Sequence, residues 1–162
     1  MVQGARGGGP ASQLVHTQEL RETQESPDLV KRQLRACLRK ERDQIPVGLR
    51  DLYSSRILSR LQHHPLFKQS RFPALTVSFG SEVNTLPLLE ELERQGLPFA
   101  IPRVNAEWGL DFYHPLVSIH TLTPSSFGIL EPDPSRDTRI PPEDIDLFVV
   151  PGLGFDPRGH RL

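Results

Sequence analysis

The chain has 162 residues, with 19 Lys+Arg against 20 Asp+Glu for a net charge of −1, sixteen prolines and one cysteine. That length fits one modest domain with a real core, and near-neutrality leaves no global field to hold it on nucleic acid or an anionic membrane. The lone Cys37 excludes an intramolecular disulfide framework and a Cys-rich zinc knuckle, and no apolar run approaches the length of a membrane span.

Residues 1–28 contain no Phe, Trp or Tyr and stay polar through Glu19, Glu22 and Glu25. They read as a disordered leader. There is no apolar core for a secretory signal, and the acids argue against a long transit peptide. A mitochondrial address confined to the first residues is the alternative. Ser26-Pro27-Asp28 then starts a helix, with a hydroxyl cap and proline at the first helical position. Val30, Leu34, Cys37 and Leu38 recur at helical spacing and are expected to face inward, with Lys31, Arg35, Arg39 and Arg42 opposite. Ile45-Pro46 closes it. A second helix runs from about Leu49 to Gln62, with Leu52, Ile57, Leu58 and Leu61 inward, and His63-His64-Pro65 ends it.

Residues 74–79 are short and β-prone. Asn84-Thr85 caps a third helix with Leu86, Leu89 and Leu92 on one face, and Gly96 stops it. Residues 98–102 read as the next strand, so this stretch is a strand–helix–strand unit that favours a parallel sheet. Leu110-Asp111-Phe112-Tyr113-His114 is a further strand candidate. Eight prolines follow in the last 48 residues, which predicts long irregular connections. Ile145-Asp146-Leu147-Phe148-Val149-Val150 is a near-continuous apolar run of the kind that forms a buried parallel strand. The chain ends twelve residues later in a Gly-rich loop, so that strand lies at a sheet edge or the sequence is cut short.

Four groups of residues could carry chemistry. The loop with Gly152, Gly154 and Gly159 sits where open α/β sheets bind ligands, and its N–H groups and Arg158 and Arg161 suit phosphate. Its spacing fits neither the dinucleotide nor the phosphate-loop fingerprint, so an ordinary surface turn stays open. Lys31 to Arg42 holds six basic residues and one acid, which suits phosphates or simply a solvated face. Glu82, after Phe79-Gly80-Ser81, would reach the same sheet edge and could hold an amino-substituted heterocycle or cap a turn. The adjacent His63 and His64 make poor paired metal ligands and read as helix-end residues. Cys37 reads as packing.

Together these blocks resemble the 5-formyltetrahydrofolate cyclo-ligase (5,10-methenyltetrahydrofolate synthetase) family over about Leu29 to Leu162. The resemblance rests on Lys31-Arg32-Gln33-Leu34-Arg35 and Ser78-Phe79-Gly80-Ser81-Glu82-Val83-Asn84-Thr85. It continues through Ile101-Pro102-Arg103, Phe127-Gly128-Ile129-Leu130-Glu131-Pro132, the block from Ile145 to Asp156, and Gly159-His160-Arg161-Leu162.

The resemblance implies a three-layer α/β/α fold with a mainly parallel sheet, incomplete at its C-terminus, over residues 29–162. It implies an ATP- and Mg2+-dependent ligase of one-carbon metabolism. ATP phosphorylates the formyl oxygen of 5-formyltetrahydrofolate, and N10 attacks the resulting imidate phosphate. The ring closes to 5,10-methenyltetrahydrofolate with release of ADP and phosphate. By the same resemblance Lys31, Arg32, Gln33, Leu34, Arg35, Arg161 and Leu162 bind ATP, while Arg35, Val77 and Glu82 contact the folate. The family pattern continues with a Gly- and base-rich loop, a Tyr-Tyr pair and an Asp, so its Mg2+ ligand is expected beyond Leu162. A C-terminally truncated, catalytically impaired member follows as the expectation, or a non-catalytic product with residual folate binding. Phe148, Val149 and Val150 are then expected to lose covering layers. A monomer with no nucleic-acid or membrane partner is expected, in the cytoplasm or, alternatively, the mitochondrion.

Overall fold

A computed structural model describes residues 26–126 and 128–162; residues 1–25 of the expected leader lie outside them. Helix α1 spans Pro27–Asp43, with the Ser26 hydroxyl accepting from the Leu29 N–H at 3.2 Å and Lys40 and Arg42 in its last turn, where cations suit the helix dipole. Helix α2 covers Val47–His63, and a short α3, Pro65–Gln69, follows with His64 as its cap. His63 and His64 are thus helix-end residues, as their position before Pro65 suggests.

Strand β1 (Pro73–Leu75) leads through a long turn into α4 (Leu86–Arg94). That helix stops at Gly96, whose φ of +67° no β-carbon opposes, and the Leu97 N–H closes back on the Leu92 carbonyl at 2.9 Å. Strands β2 (Ile101–Val104) and β3 (Leu110–His114) form an antiparallel hairpin. Short strands β4 (Thr123–Pro124) and β5 (Leu130–Glu131) pair with each other. Strand β6 (Thr138–Ile140) adds to β3, and β7 (Leu147–Val149) runs parallel to β1.

The register of that parallel pair sets Pro73 against Leu147, Ala74 against Phe148 and Leu75 against Val149. On its other side β1 bridges Ala100 in parallel, through Leu75 N–H to Ala100 C=O and Ala100 N–H to Pro73 C=O, both at 2.9 Å. The α/β architecture and the parallel sheet are therefore present. The antiparallel β2–β3–β6 sheet extends what the sequence suggests.

Alternation along β1 divides the core. Leu75 joins Leu58 of α2, Leu88, Leu89 and Leu92 of α4, and Phe99 and Ile101 on one side. Ala74, Ala100 and Ile145 pack with Phe72, Phe112 and Ile140 on the other. Strand β7 is the edge: Phe148 is 45% exposed and Val150 56%, while Val149 turns in against the core.

Two helices differ from their sequence reading. No residue of α1 is buried, and Val30, Leu34 and Cys37 of its expected inner stripe are exposed. Within α1, Leu29, Leu38 and Arg42 are the partly buried positions, and Leu38 and Arg42 are the ones that reach the glycine loop and the turn after β1. In α2, Leu58 is buried and Leu61 packs on the core, but Leu52 and Ile57 stay exposed.

Asp146 ties the starts of the two parallel strands together. Its carboxylate accepts from the Ser70 hydroxyl, the Arg71 N–H at 2.7 Å and the Phe72 N–H at 3.1 Å. The Ser70 hydroxyl, then the backbone donors, hold its carboxyl below the ordinary carboxylate range. A depressed folded-state value means this contribution is complete above the unfolded value of about 3.9 and is lost as pH falls through the folded one. Asp146→Asn should lower Tm at pH 7 and flatten the acid limb of Tm against pH below about 4. A limb as steep as that of the unsubstituted chain would remove Asp146 from this role.

Candidate functional site

A cleft of about 480 Å³ opens at the carboxyl ends of β1 and β7. Leu75, Thr76, Val149 and Val150 form its floor, Ile57, Leu58 and Leu61 of α2 one wall, and Arg39, Arg42, Glu82 and Gly152–Leu153 its rim. This is where parallel strands leave a ligand site, because the loops diverge beyond their carboxyl ends.

The turn after β1 is fixed by its own polar residues. Thr85 donates its hydroxyl to the Thr76 carbonyl at 2.7 Å and accepts from the Ser78 N–H at 3.0 Å. Asn84 takes the Leu86 N–H at 3.2 Å and gives its own N–H to the buried Ser54 hydroxyl at 3.0 Å. Gly80 turns the chain at φ +61°. Glu82 closes the apex, its N–H on the Phe79 carbonyl and its Oε2 accepting the Phe79 N–H, both at 3.2 Å.

The glycine loop is organised differently. Asp156 accepts the Arg158 N–H at 2.8 Å, the His160 N–H at 2.9 Å and His160 Nδ1 at 2.8 Å. The His160 side chain, then the backbone donors, lower the Asp156 carboxyl from its usual value. Phe155 and Arg161 bridge, Arg161 donates to the Pro151 carbonyl at 3.1 Å, and the Leu162 N–H reaches the Gly154 carbonyl at 3.0 Å. The N–H groups of Asp156, Arg158, Gly159, His160 and Leu162 are therefore spent inside the loop. Those of Gly152, Leu153 and Gly154 have no acceptor among the described residues, and Gly152 and Leu153 lie on the cleft rim.

Helix α1 rests on this loop. A β-carbon at Gly154 would come within 2.7 Å of Leu38 Cδ1, so a side chain there requires the Leu38 methyl or the helix to shift. Gly154→Val should push α1 off the loop, lowering Tm by a few degrees, since overpacking costs about 1–3 kcal/mol. It should also speed tryptic cutting within α1. Unchanged cleavage would show that the contact does not seat the helix.

The structure brings only part of the sequence-derived set together. Glu82 is in the cleft. Val77 is 4% exposed and belongs to the core beneath it. Lys31, Arg32, Gln33, Leu34 and Arg35 occupy the exposed first half of α1 and do not line the cleft. Arg161 braces Pro151, and Leu162 is partly buried beside Gly154. Of the basic stripe it is Arg39 and Arg42, not the Lys31–Arg35 stretch that the resemblance assigns to ATP, that line the cleft. They lie further along the same basic stripe, so helical spacing carried the signal but not which turn reaches the cleft. Among the described residues no three His, Cys, Asp or Glu side chains gather as a metal site, and no helix is long and apolar enough to cross a membrane.

The α/β fold sets an acid, two arginines and a glycine loop around the carboxyl ends of parallel strands, groups whose chemistry suits a polar, charged small molecule. Comparison with known proteins narrows that class. The 5-formyltetrahydrofolate cyclo-ligase family profile matches residues 28–162. A probable 5-formyltetrahydrofolate cyclo-ligase of Schizosaccharomyces pombe is 28% identical over 136 residues, 83% of this chain and 67% of that protein. The mitochondrial 5-formyltetrahydrofolate cyclo-ligase of Arabidopsis thaliana is 29% identical over 82% of this chain and 53% of its own length. The NMR structure of Aquifex aeolicus 5,10-methenyltetrahydrofolate synthetase superposes with a TM-score of 0.70 at 31% identity, over 82% of this chain and 66% of that one. The chain belongs to the 5-formyltetrahydrofolate cyclo-ligase family, and it spans from about half to two thirds of these relatives.

Proposed function

We propose that the chain binds 5-formyltetrahydrofolate in the Glu82 cleft and belongs to the ATP-dependent cyclisation that yields 5,10-methenyltetrahydrofolate, ADP and phosphate. The single observation that carries this reading is the Glu82 carboxylate at the rim of an apolar-floored cleft, in a chain of this family. A carboxylate suits the paired N–H donors of a pterin edge, and the aliphatic floor suits its ring. Arg39 and Arg42 line the same space, and the Arg39 guanidinium complements an anionic group. The open N–H groups of Gly152, Leu153 and Gly154 are suited to a phosphate.

The chemistry asks the protein for positioning and for neutralising charge on the transferring phosphoryl group. Lys31, Arg35 and Arg161 are the candidates for the nucleotide phosphates. The described residues offer no acidic cluster for Mg2+, so the ion would be held through phosphate oxygens and water. In this reading folate binding outlasts catalysis: turnover by these 162 residues alone is slow, because Lys31 and Arg35 stand away from the cleft and a single missing stabilising donor costs about 10²–10³ in rate. We place the protein in the cytoplasm, as a monomer, with the mitochondrion as the alternative location.

Turnover of 5-formyltetrahydrofolate with ATP and Mg2+, followed by methenyl-folate absorbance, tests the reading. A rate far below that of the longer relatives, with folate binding intact, is expected. A rate equal to theirs would show that the nucleotide site is complete in these residues.

A further inference from the structure

Helix α1 is seated by what its C-terminal half touches, and one of those contacts leads to Glu82. Arg42 Nε donates to the Ser81 hydroxyl at 2.9 Å, and that hydroxyl in turn donates to the Asp43 carboxylate. Ser81 is the neighbour of Glu82 in the turn closed by Phe79. Among the described residues, the Glu82 carboxylate has no hydrogen bond from outside that turn. Gly80, at φ +61° with open space around it, is the most freely rotating position in the turn. Left alone, such an apex would wander. The Ser81 hydroxyl, accepting from a cation and donating to an anion, uses both its functions at once, and each bond polarises the other.

We propose that Arg42 and Asp43 are positioning residues for Glu82, acting through the Ser81 hydroxyl; the ligand side of this rests on the reading of Glu82 as the folate-holding carboxylate. The network holds the apex of the turn against the end of α1 and keeps Glu82 aimed across the cleft. Arg42 itself lines the cleft, so the rival is a guanidinium that touches the ligand directly. The two differ in whether the effect of Arg42 needs Ser81. A positioning role vanishes once the hydroxyl is gone, whereas a direct contact survives it.

The experiment uses the 162-residue chain and its Arg42→Ala, Ser81→Ala and doubly substituted variants. Two quantities are read: the affinity for 5-formyltetrahydrofolate by calorimetry, and backbone amide exchange at Phe79 without ligand. Each single substitution should weaken binding about tenfold, and the double no more than either single. Exchange at Phe79, whose N–H is held by Glu82, should accelerate about tenfold in each, while Leu89 in buried α4 stays protected. That contrast separates loss of aim from general loosening. Additive losses in affinity would make Arg42 a ligand contact and overturn the proposal. Unchanged Phe79 exchange in Ser81→Ala would overturn it whatever the ligand does. Faster Phe79 exchange in a chain that binds no folate would support the network and overturn the functional reading instead.

Discussion

Asp137→Ala is expected to lower Tm by roughly 5–12 °C, the loss of about 2–4 kcal/mol in a chain of this size. The Asp137 side chain is fully buried. It accepts Arg136 Nε at 2.9 Å and Nη2 at 3.0 Å, the Asp133 N–H at 2.8 Å and the Leu116 N–H at 3.3 Å. Arg136 also donates to the Thr121 carbonyl at 3.2 Å, so one carboxylate organises the irregular connection between β3 and β6. Alanine takes the acceptor from two backbone donors and from Arg136 Nε, leaving the guanidinium only the Thr121 carbonyl, and unmet buried donors cost more than the bonds that satisfied them gave.

Burial pushes the Asp137 carboxyl up, but the Arg136 guanidinium and the two backbone N–H groups outweigh it and hold it below its ordinary value. The sign follows from that net lowering. The stabilisation is full above the unfolded carboxylate value of about 3.9 and falls away as pH drops through the folded one. Asp137→Asn, which offers one acceptor oxygen and turns an amide toward a donor, should lie between the native chain and alanine near pH 7. Its difference from the native chain should shrink toward pH 3. Thermal melts across that range decide it, and a pH-independent gap would assign the loss to packing rather than charge.

Glu82→Ala should weaken 5-formyltetrahydrofolate binding by about a hundredfold or more while moving Tm little. A charge-assisted hydrogen bond is worth about 1.5–3 kcal/mol, and a carboxylate facing a pterin edge makes two. Glu82→Gln keeps the shape but not the charge, and places an amide against one donor, so a loss of roughly ten- to a hundredfold is expected. The fold depends little on this side chain, since its one hydrogen bond among the described residues is to the Phe79 N–H in its own turn. Calorimetric titration with melts on the same samples checks both halves. Equal affinity in Glu82→Ala would move the folate away from this cleft.

Some of this was legible from residues alone. The Ser26-Pro27 start, the leucines of α4 and the stop at Gly96 are local signals, and each element forms where its own chemistry places it. The apolar run after Ile145 reads correctly as a parallel strand, paired with the β1 stretch. The inward face of α1 was not legible. Val30, Leu34 and Cys37 keep perfect helical spacing, yet all three stay exposed, because amphipathicity specifies a face and not what covers it. β1 is also shorter than its β-prone stretch. From Thr76 onward the chain turns into hydrogen bonds with Thr85, a contact nine residues away that no local propensity encodes. In the site, Glu82 was singled out by its place after a strand, but the choice of Arg39 and Arg42 over Lys31 and Arg35 needs the helix docked.

The most direct measurement is a calorimetric titration of 5-formyltetrahydrofolate into the folded 162-residue chain, paired with its Tm with and without ligand. The account predicts saturable one-site binding and a Tm that rises with ligand concentration, as mass action requires of a ligand that binds only the native state. A flat titration with no shift in Tm, on a chain that melts cooperatively, would contradict it.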